Sequence, residues 1–284
     1  MPVHTLPAAS NGYLKLNGVD YYYEVHGQGE PLLLLHGGLG TGDMFSPVLP
    51  ALIGQRQVIT VDLQGHGRSS LGHRPIRCEA IADDMAVLLN KLGHVQADVL
   101  GYSFGGSVAL RLAVQHPEQV RRLALVSTPY ADDSWYPEIR TQQVMLSAEA
   151  APMMKNTPMY QAYAAVAPHV EDFPRLLDAM GDWIRQPYDW SADVAKLPMP
   201  VMLIFGDGDM IRLEHQTRFY QLLGGGLKDA GWQREHMPRN RLAILPDLTH
   251  YDIFASPRMV ETAVPFLNGH SGVTRWAEQQ KASN

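Results

Sequence analysis

The sequence predicts an α/β fold: a mainly parallel central sheet, helices on both of its faces, and a helical segment inserted into it. Three observations predict this. Short apolar runs recur along the chain, and from Ile81 onwards they alternate with stretches of helical period. One run, at 97–100, turns through Gly101-Tyr102-Ser103-Phe104-Gly105 into a helix-compatible stretch at 107–116. Residues 129–197 offer no convincing strand and accumulate Met, Ala, Trp, Tyr and Pro.

The 284 residues can bury one large core, with or without an insertion. A net charge of −6 gives no basic face for nucleic acid or anionic lipid. The single cysteine, Cys78, excludes an internal disulfide framework and fits a reducing compartment. It reads as a small, partly buried residue. The start of the chain has no basic segment followed by an apolar run, and no stretch is apolar for long enough to span a membrane. The expectation is a soluble, cytoplasmic protein.

The elements follow in order. Residues 1–11 read as a loose, polar start. Residues 13–16 and 19–25 are two strands joined at Asn17-Gly18, a type I′ hairpin signal. The run 31–35 is continuously apolar, as in a strand buried on both faces, and leads into His36-Gly37-Gly38-Leu39-Gly40. Residues 56–61 form the next strand and lead into Asp62-Leu63-Gln64-Gly65-His66-Gly67-Arg68-Ser69. Ile81, Met85, Leu88, Leu89 and Leu92 then share one helix face, which Gly93 ends. The run 97–100, the helix 107–116 and a strand at 120–127 follow.

In 129–197 we expect several short helices, broken at Pro137, Pro152, Pro158, Pro168, Pro174 and Pro187. The core resumes with a strand at 201–205, a helix at 214–223, a long Gly-rich loop, a strand at 242–245 and a helix at 257–267. The expected organisation is a core of 1–128 and 198–270, a helical insertion at 129–197, and a polar tail at 271–284.

The chemistry centres on Ser103. A strand that turns sharply into a helix holds its turn residue in a strained conformation, and Gly101 and Gly105 remove side chains that would block the turn. A serine hydroxyl is a weak nucleophile until a base takes its proton, and that base needs a carboxylate to orient it. In parallel sheets, functional residues sit in loops at the carboxyl ends of strands. That filter selects His250, after the last strand, from the twelve histidines. His36 and His66 lie in Gly-rich turns and read as structural. His26, His94 and His116 lie at strand starts or a helix end, His215 opens a helix, and His236 is in the long loop.

The acid is Asp209, after the strand at 201–205, or Asp132, after the strand at 120–127. Asp207 reads as a turn-supporting residue. The oxyanion hole needs two backbone N–H donors. The Phe104 N–H is one, and Gly38 or its neighbour Leu39 supplies the other. No metal-ligand spacing stands out, and no cofactor is expected.

Together these motifs resemble the α/β-hydrolase fold superfamily, and in particular its carboxylesterase-like serine hydrolases. The resemblance rests on His-Gly-Gly at 36–38, Asp-x-x-Gly-His-Gly-x-Ser at 62–69, Gly-x-Ser-x-Gly-Gly at 101–106, Gly-x-x-Asp at 206–209 and Thr-His at 249–250. It implies that Ser103, Asp209 and His250 form a triad and that 129–197 is a helical cap. Met210, beside the acid, Tyr251, beside the base, and Leu39 are candidate substrate contacts. The implied activity is hydrolysis of a small to medium apolar ester through an acyl-enzyme. A lactonase or carbon–carbon bond hydrolase with the same triad is the alternative, and a non-catalytic small-molecule receptor is the alternative of another class. The expected partner is a small ester-like molecule, with no nucleic acid and no membrane, and the sequence leaves the oligomeric state open.

Overall fold

The structure is a computed structural model that describes residues 8–54 and 56–270. The expected tail at 271–284 lies outside the described residues, as does most of the expected polar start. The eight strands are β1 (Ser10–Leu16), β2 (Val19–His26), β3 (Glu30–Leu35), β4 (Arg56–Val61), β5 (Ala97–Tyr102), β6 (Val120–Val126), β7 (Val201–Gly208) and β8 (Arg241–Thr249). They form one sheet in the order β1-β2-β4-β3-β5-β6-β7-β8. β1 and β2 pair antiparallel, β2 meets β4 antiparallel, and the other pairs are parallel. Asn17 and Gly18 both take positive φ, 47° and 84°, as a type I′ turn requires.

Successive residues of the central strands point to opposite faces, and both faces are covered. Leu33 and Leu35 of β3 join one core cluster, whereas Leu32 and Leu34 join the other. The same alternation runs through Leu123 to Val126 of β6 and Val201 to Phe205 of β7. Helices Cys78–Lys91, Phe104–Gln115 and Leu213–Leu222 bury Ile81, Val108 and Phe219 in the first cluster. Helix Pro257–Leu267 buries Met259, Val260 and Ala263 in the second. Each parallel connection therefore crosses a face of the sheet, and the carboxyl ends of β3 to β8 gather along one rim.

Between β6 and β7 the chain is helical. The main segments are Pro137–Val144, Ala151–Met154, Pro158–Val166, Phe173–Ile184 and Ser191–Val194. The prolines act differently from the expectation of breaks. Pro137, Pro152, Pro158 and Pro174 occupy the first two positions of helices. There the missing N–H is one that would have no helical acceptor anyway, so proline starts the helix instead of ending it. Pro168 and Pro187 fall between helices.

Three boundaries also differ from the sequence reading. The helix after β5 begins at Phe104, not at 107, because Gly105 and Gly106 are part of its first turn. β7 runs on to Gly208 and β8 to Thr249, since ladder pairing across an irregularity at Gly206 and Gly208 outweighs the turn propensity of Gly, Asp and Pro. No described helix is long and apolar enough to cross a membrane.

Candidate active site

Ser103 stands between the end of β5 and the helix it feeds, with φ 53° and ψ −116°. Its N–H bonds the Val126 carbonyl at 2.9 Å, and its carbonyl accepts from the Ser107 N–H at 3.0 Å. The turn is held between neighbours that leave no room for side chains. The carbonyls of Leu35 and His36 lie where a Gly105 Cβ would stand, and the Gly105 carbonyl lies where a Gly101 Cβ would stand. The half-buried hydroxyl faces His250, with 3.0 Å between Ser103 Oγ and His250 Nε2.

His250 follows the end of β8 and is buried. Its Nδ1 lies 2.9 Å from Asp209 Oδ1. An ionised carboxylate only accepts, so Nδ1 carries the proton and Nε2 presents its lone pair to Ser103. Asp209 Oδ1 also accepts the Ile211 N–H at 3.1 Å, and Oδ2 accepts a short hydrogen bond from Ser127. On the other side, Tyr102 donates to the His250 carbonyl at 2.6 Å. The Tyr102 ring lies over Gly37, where any side chain would strike it.

The Gly37–Gly40 turn closes with a 3.1 Å bond from the Gly40 N–H to the Gly37 carbonyl. Among the described residues, the N–H groups of Gly38 and Leu39 bond no backbone carbonyl. Leu39 takes φ 59°, a left-handed position that is unfavourable for a branched side chain. Phe104 is the first residue of its helix, so its N–H has no intrahelical acceptor. Gly38 and Phe104 face each other: a Cβ on Gly38 would sit 3.7 Å from Phe104 Cβ.

The other histidines near the strand ends are engaged elsewhere. His36 Nδ1 bonds the Gly37 carbonyl at 2.7 Å, and its Nε2 accepts the Leu63 N–H at 2.9 Å. Burial lowers its pKa to about 4. Burial, then the neighbouring His36, lowers that of His66 to about 3, and its ring lies along Phe104 at 5.7 Å. His215 stacks on Tyr130 at 3.9 Å, and burial, then Arg212, lowers its pKa to about 3. All three are neutral at pH 7. Cys78 is fully buried, and burial pushes its thiol up, away from the reactive thiolate.

The two other aspartates considered for the acid lie elsewhere. Asp132 faces Arg140 at 3.7 Å. Asp207 accepts the Asp247 N–H at 2.8 Å and braces the ends of β7 and β8. Of the expected substrate contacts, Leu39 is packed into the core, and Met210 is half-buried beside Gln143. Tyr251 is 67% exposed, with its ring edge-on to His250 at 6.0 Å, so it stands at the rim and does not form an enclosed wall.

The sequence reading gave no role to Tyr102, Ser127 or Trp135. The Trp135 ring meets His250 edge-on at 5.9 Å. A hydroxyl directly after the apolar run at 123–126 was the available signal for Ser127. Trp183 meets Phe104 edge-on at 4.8 Å, and Met180 Cε lies 3.2 Å from where a Gly38 Cβ would stand. Among the described residues no group of three or more His, Cys, Asp or Glu side chains is placed to hold a metal ion.

Comparison with known proteins bears on this arrangement. Residues 30–158 match the family model described as α/β hydrolase fold. An esterase from Thermogutta terrifontis superposes with a TM-score of 0.69 at 22% identity, covering 93% of this chain and all of that one. The chain has the α/β-hydrolase fold. The hydrolase YraK of Bacillus subtilis is 40% identical over 113 residues, which is 39% of this chain and 42% of YraK. The match thus spans about two fifths of that relative's length. The pimeloyl-[acyl-carrier protein] methyl ester esterase of Nitrosomonas europaea is 28% identical over 258 residues, which is 83% of this chain and 94% of that protein.

Proposed function

We propose that this α/β-hydrolase-fold protein is a serine hydrolase that cleaves a carboxylic ester through an acyl-enzyme, with Ser103, His250 and Asp209 as its triad. The observation that carries the reading is the hydrogen-bonded row from Ser103 Oγ through both nitrogens of His250 to Asp209, at 3.0 and 2.9 Å. Similarity to named esterases supports the ester as substrate.

His250 Nε2 takes the Ser103 proton as Oγ attacks the ester carbonyl carbon. Asp209 stabilises the imidazolium that forms. The Phe104 and Gly38 N–H groups stabilise the oxyanion in the tetrahedral intermediate. The carbon–oxygen bond to the alcohol then breaks, and the alcohol leaves with the proton from His250. Water attacks the acyl-enzyme, gives its proton to His250, and the acid departs as Ser103 regains its hydrogen.

The helical segment at 129–197 acts as a cap that selects the acyl group, with Met180 and Trp183 beside the oxyanion donors. Both of these side chains are apolar, so a neutral, apolar acyl group is favoured. The test is labelling with a fluorophosphonate together with turnover of ester, lactone and diketone panels. Labelling at Ser103, lost in Ser103→Ala, with ester turnover is the expected result. Turnover of lactones or diketones alone would change the substrate class. Absence of both labelling and turnover would leave a ligand receptor.

A further inference from the structure

Asp209 is held from a direction that the triad itself does not explain. Its Oδ1 accepts from His250 and Ile211, and its Oδ2 accepts from the Ser127 hydroxyl. Ser127 is fully buried and follows β6 directly. Its φ is 47°, a left-handed conformation that costs a residue with a Cβ backbone energy. The neighbouring structure fixes it there, since its N–H continues the ladder to the Ile204 carbonyl at 2.8 Å. Ser103 and Ser127 thus follow adjacent strands, both left-handed and neither glycine. Strained residues of this kind persist where the surroundings over-determine them, and they cluster at functional sites.

We propose that Ser127 is a positioning residue for Asp209, an inference that rests on the triad reading above. The Asp χ2 torsion is broad, so the backbone alone does not fix the plane of the carboxylate towards His250. By holding one oxygen, the Ser127 hydroxyl fixes that plane with the other oxygen towards Nδ1. It also supplies a partner to a buried, charged oxygen that would otherwise have none. The next residue extends the bracket. Thr128 is fully buried, bonds the Val126 carbonyl at 3.0 Å, and packs where a Gly106 Cβ would stand. The end of β6 therefore holds the acid with Ser127 and the nucleophile's helix with Thr128. The alternative acid in the sequence was Asp132, in the loop after β6. The strand end supplies instead the donor that orients the carboxylate after β7.

The experiment compares wild type with Ser127→Gly and Ser127→Ala. Both remove the hydroxyl, but glycine accepts the left-handed backbone and alanine does not, so folding and hydrogen bonding are separated. Two readouts are taken: kcat and KM on p-nitrophenyl butyrate, and the low-field proton NMR signal of His250 Nδ1–H, which needs no turnover. The expected result is a fall in kcat of about ten- to a hundredfold in both variants, with little change in KM. The Nδ1–H signal shifts and broadens in both. Wild-type kcat and an unchanged Nδ1–H signal in Ser127→Gly overturn the proposal, as does a loss confined to Ser127→Ala, which would belong to the backbone. If wild type itself turns over no ester yet the signal changes in both variants, the ester reading fails while the support of Asp209 by Ser127 stands.

Discussion

The Tyr102 phenol donates to the backbone carbonyl of His250 at 2.6 Å, joining the residue before Ser103 to one 148 positions further along the chain. Its ring also lies 5.3 Å from the His250 ring and against Gly37. One side chain thus spans the glycine turn, the β5 end and the histidine loop. Tyr102→Phe keeps the ring and leaves a buried carbonyl without its donor. The expected stability loss is about 1–3 kcal/mol, with a fall in kcat on the order of tenfold as the histidine loop loosens. Denaturant unfolding and turnover of a small ester check both. An unchanged unfolding midpoint would show that the bond contributes nothing.

The aspartates make a sharper comparison. Asp209 alone among the three candidates bonds His250, while Asp132 faces Arg140 and Asp207 braces Asp247. Asp209→Asn keeps the shape but favours the wrong imidazole tautomer, so turnover should fall about 10⁴-fold near neutral pH. Asp132→Asn and Asp207→Asn should lose less than about tenfold, because neither carboxylate touches the histidine. Melting curves accompany each, since Asp207→Asn acts on the β7–β8 junction. Near-normal activity in a folded Asp209→Asn protein would remove Asp209 from the proposed triad.

Much of this site was legible because its parts sit at strand ends that composition marks clearly. The glycine turn at 36–40, the Gly-x-Ser-x-Gly turn and Asp209 each follow a recognisable apolar run. The supports were less legible for a physical reason. Ser127 and Tyr102 contribute through contacts 82 and 148 residues away, which no local pattern encodes. The same holds for the strand ends at Gly208 and Thr249, where pairing between β7 and β8 overrides the local turn signals. The prolines of 129–197 were visible, but whether a proline starts or stops a helix depends on its neighbours on both sides. At Pro158 the Thr157 side chain settles the matter by accepting the Tyr160 N–H.

The buried histidines give the fold an acid limit. His36, His66 and His215 have folded pKa values of about 4, 3 and 3 against an ordinary value of 6.5. Each is therefore neutral in the folded chain and protonated when unfolded below pH 6.5. The unfolded state binds more protons there, so stability rises with pH across this window. The contribution is fully present above about pH 6.5 and is lost as pH falls towards the folded values. Each histidine contributes a slope of up to about 1.4 kcal/mol per pH unit. Urea unfolding at pH 7.5, 6.5 and 5.5 should give a fall over the second step about three times that over the first. Equal stability at pH 6.5 and 5.5 would show that these rings are not buried in neutral form.

The last prediction concerns selection of the acyl group. Met180 and Trp183 are three residues apart on the helix Phe173–Ile184 and so share a face. Met180 approaches Gly38, and Trp183 meets the Phe104 ring edge-on. Truncating either side chain opens space beside the two proposed oxyanion donors without touching Ser103, His250 or Asp209. A methylene moved from water into an apolar site is worth about 0.8 kcal/mol, so room for two further methylenes favours the longer ester by about tenfold or more. Met180→Ala and Trp183→Ala should therefore raise the ratio of kcat/KM for p-nitrophenyl octanoate over p-nitrophenyl acetate by at least that factor. Met180 is 3% exposed, and its truncation should also lower stability by about 2–5 kcal/mol, so the assays belong well below the melting temperature. Met153, in a neighbouring helix but 79% exposed, is the control, and Met153→Ala should leave the ratio unchanged. Equal losses on both esters in the folded Met180→Ala and Trp183→Ala proteins would show that this helix supports the site without choosing its substrate.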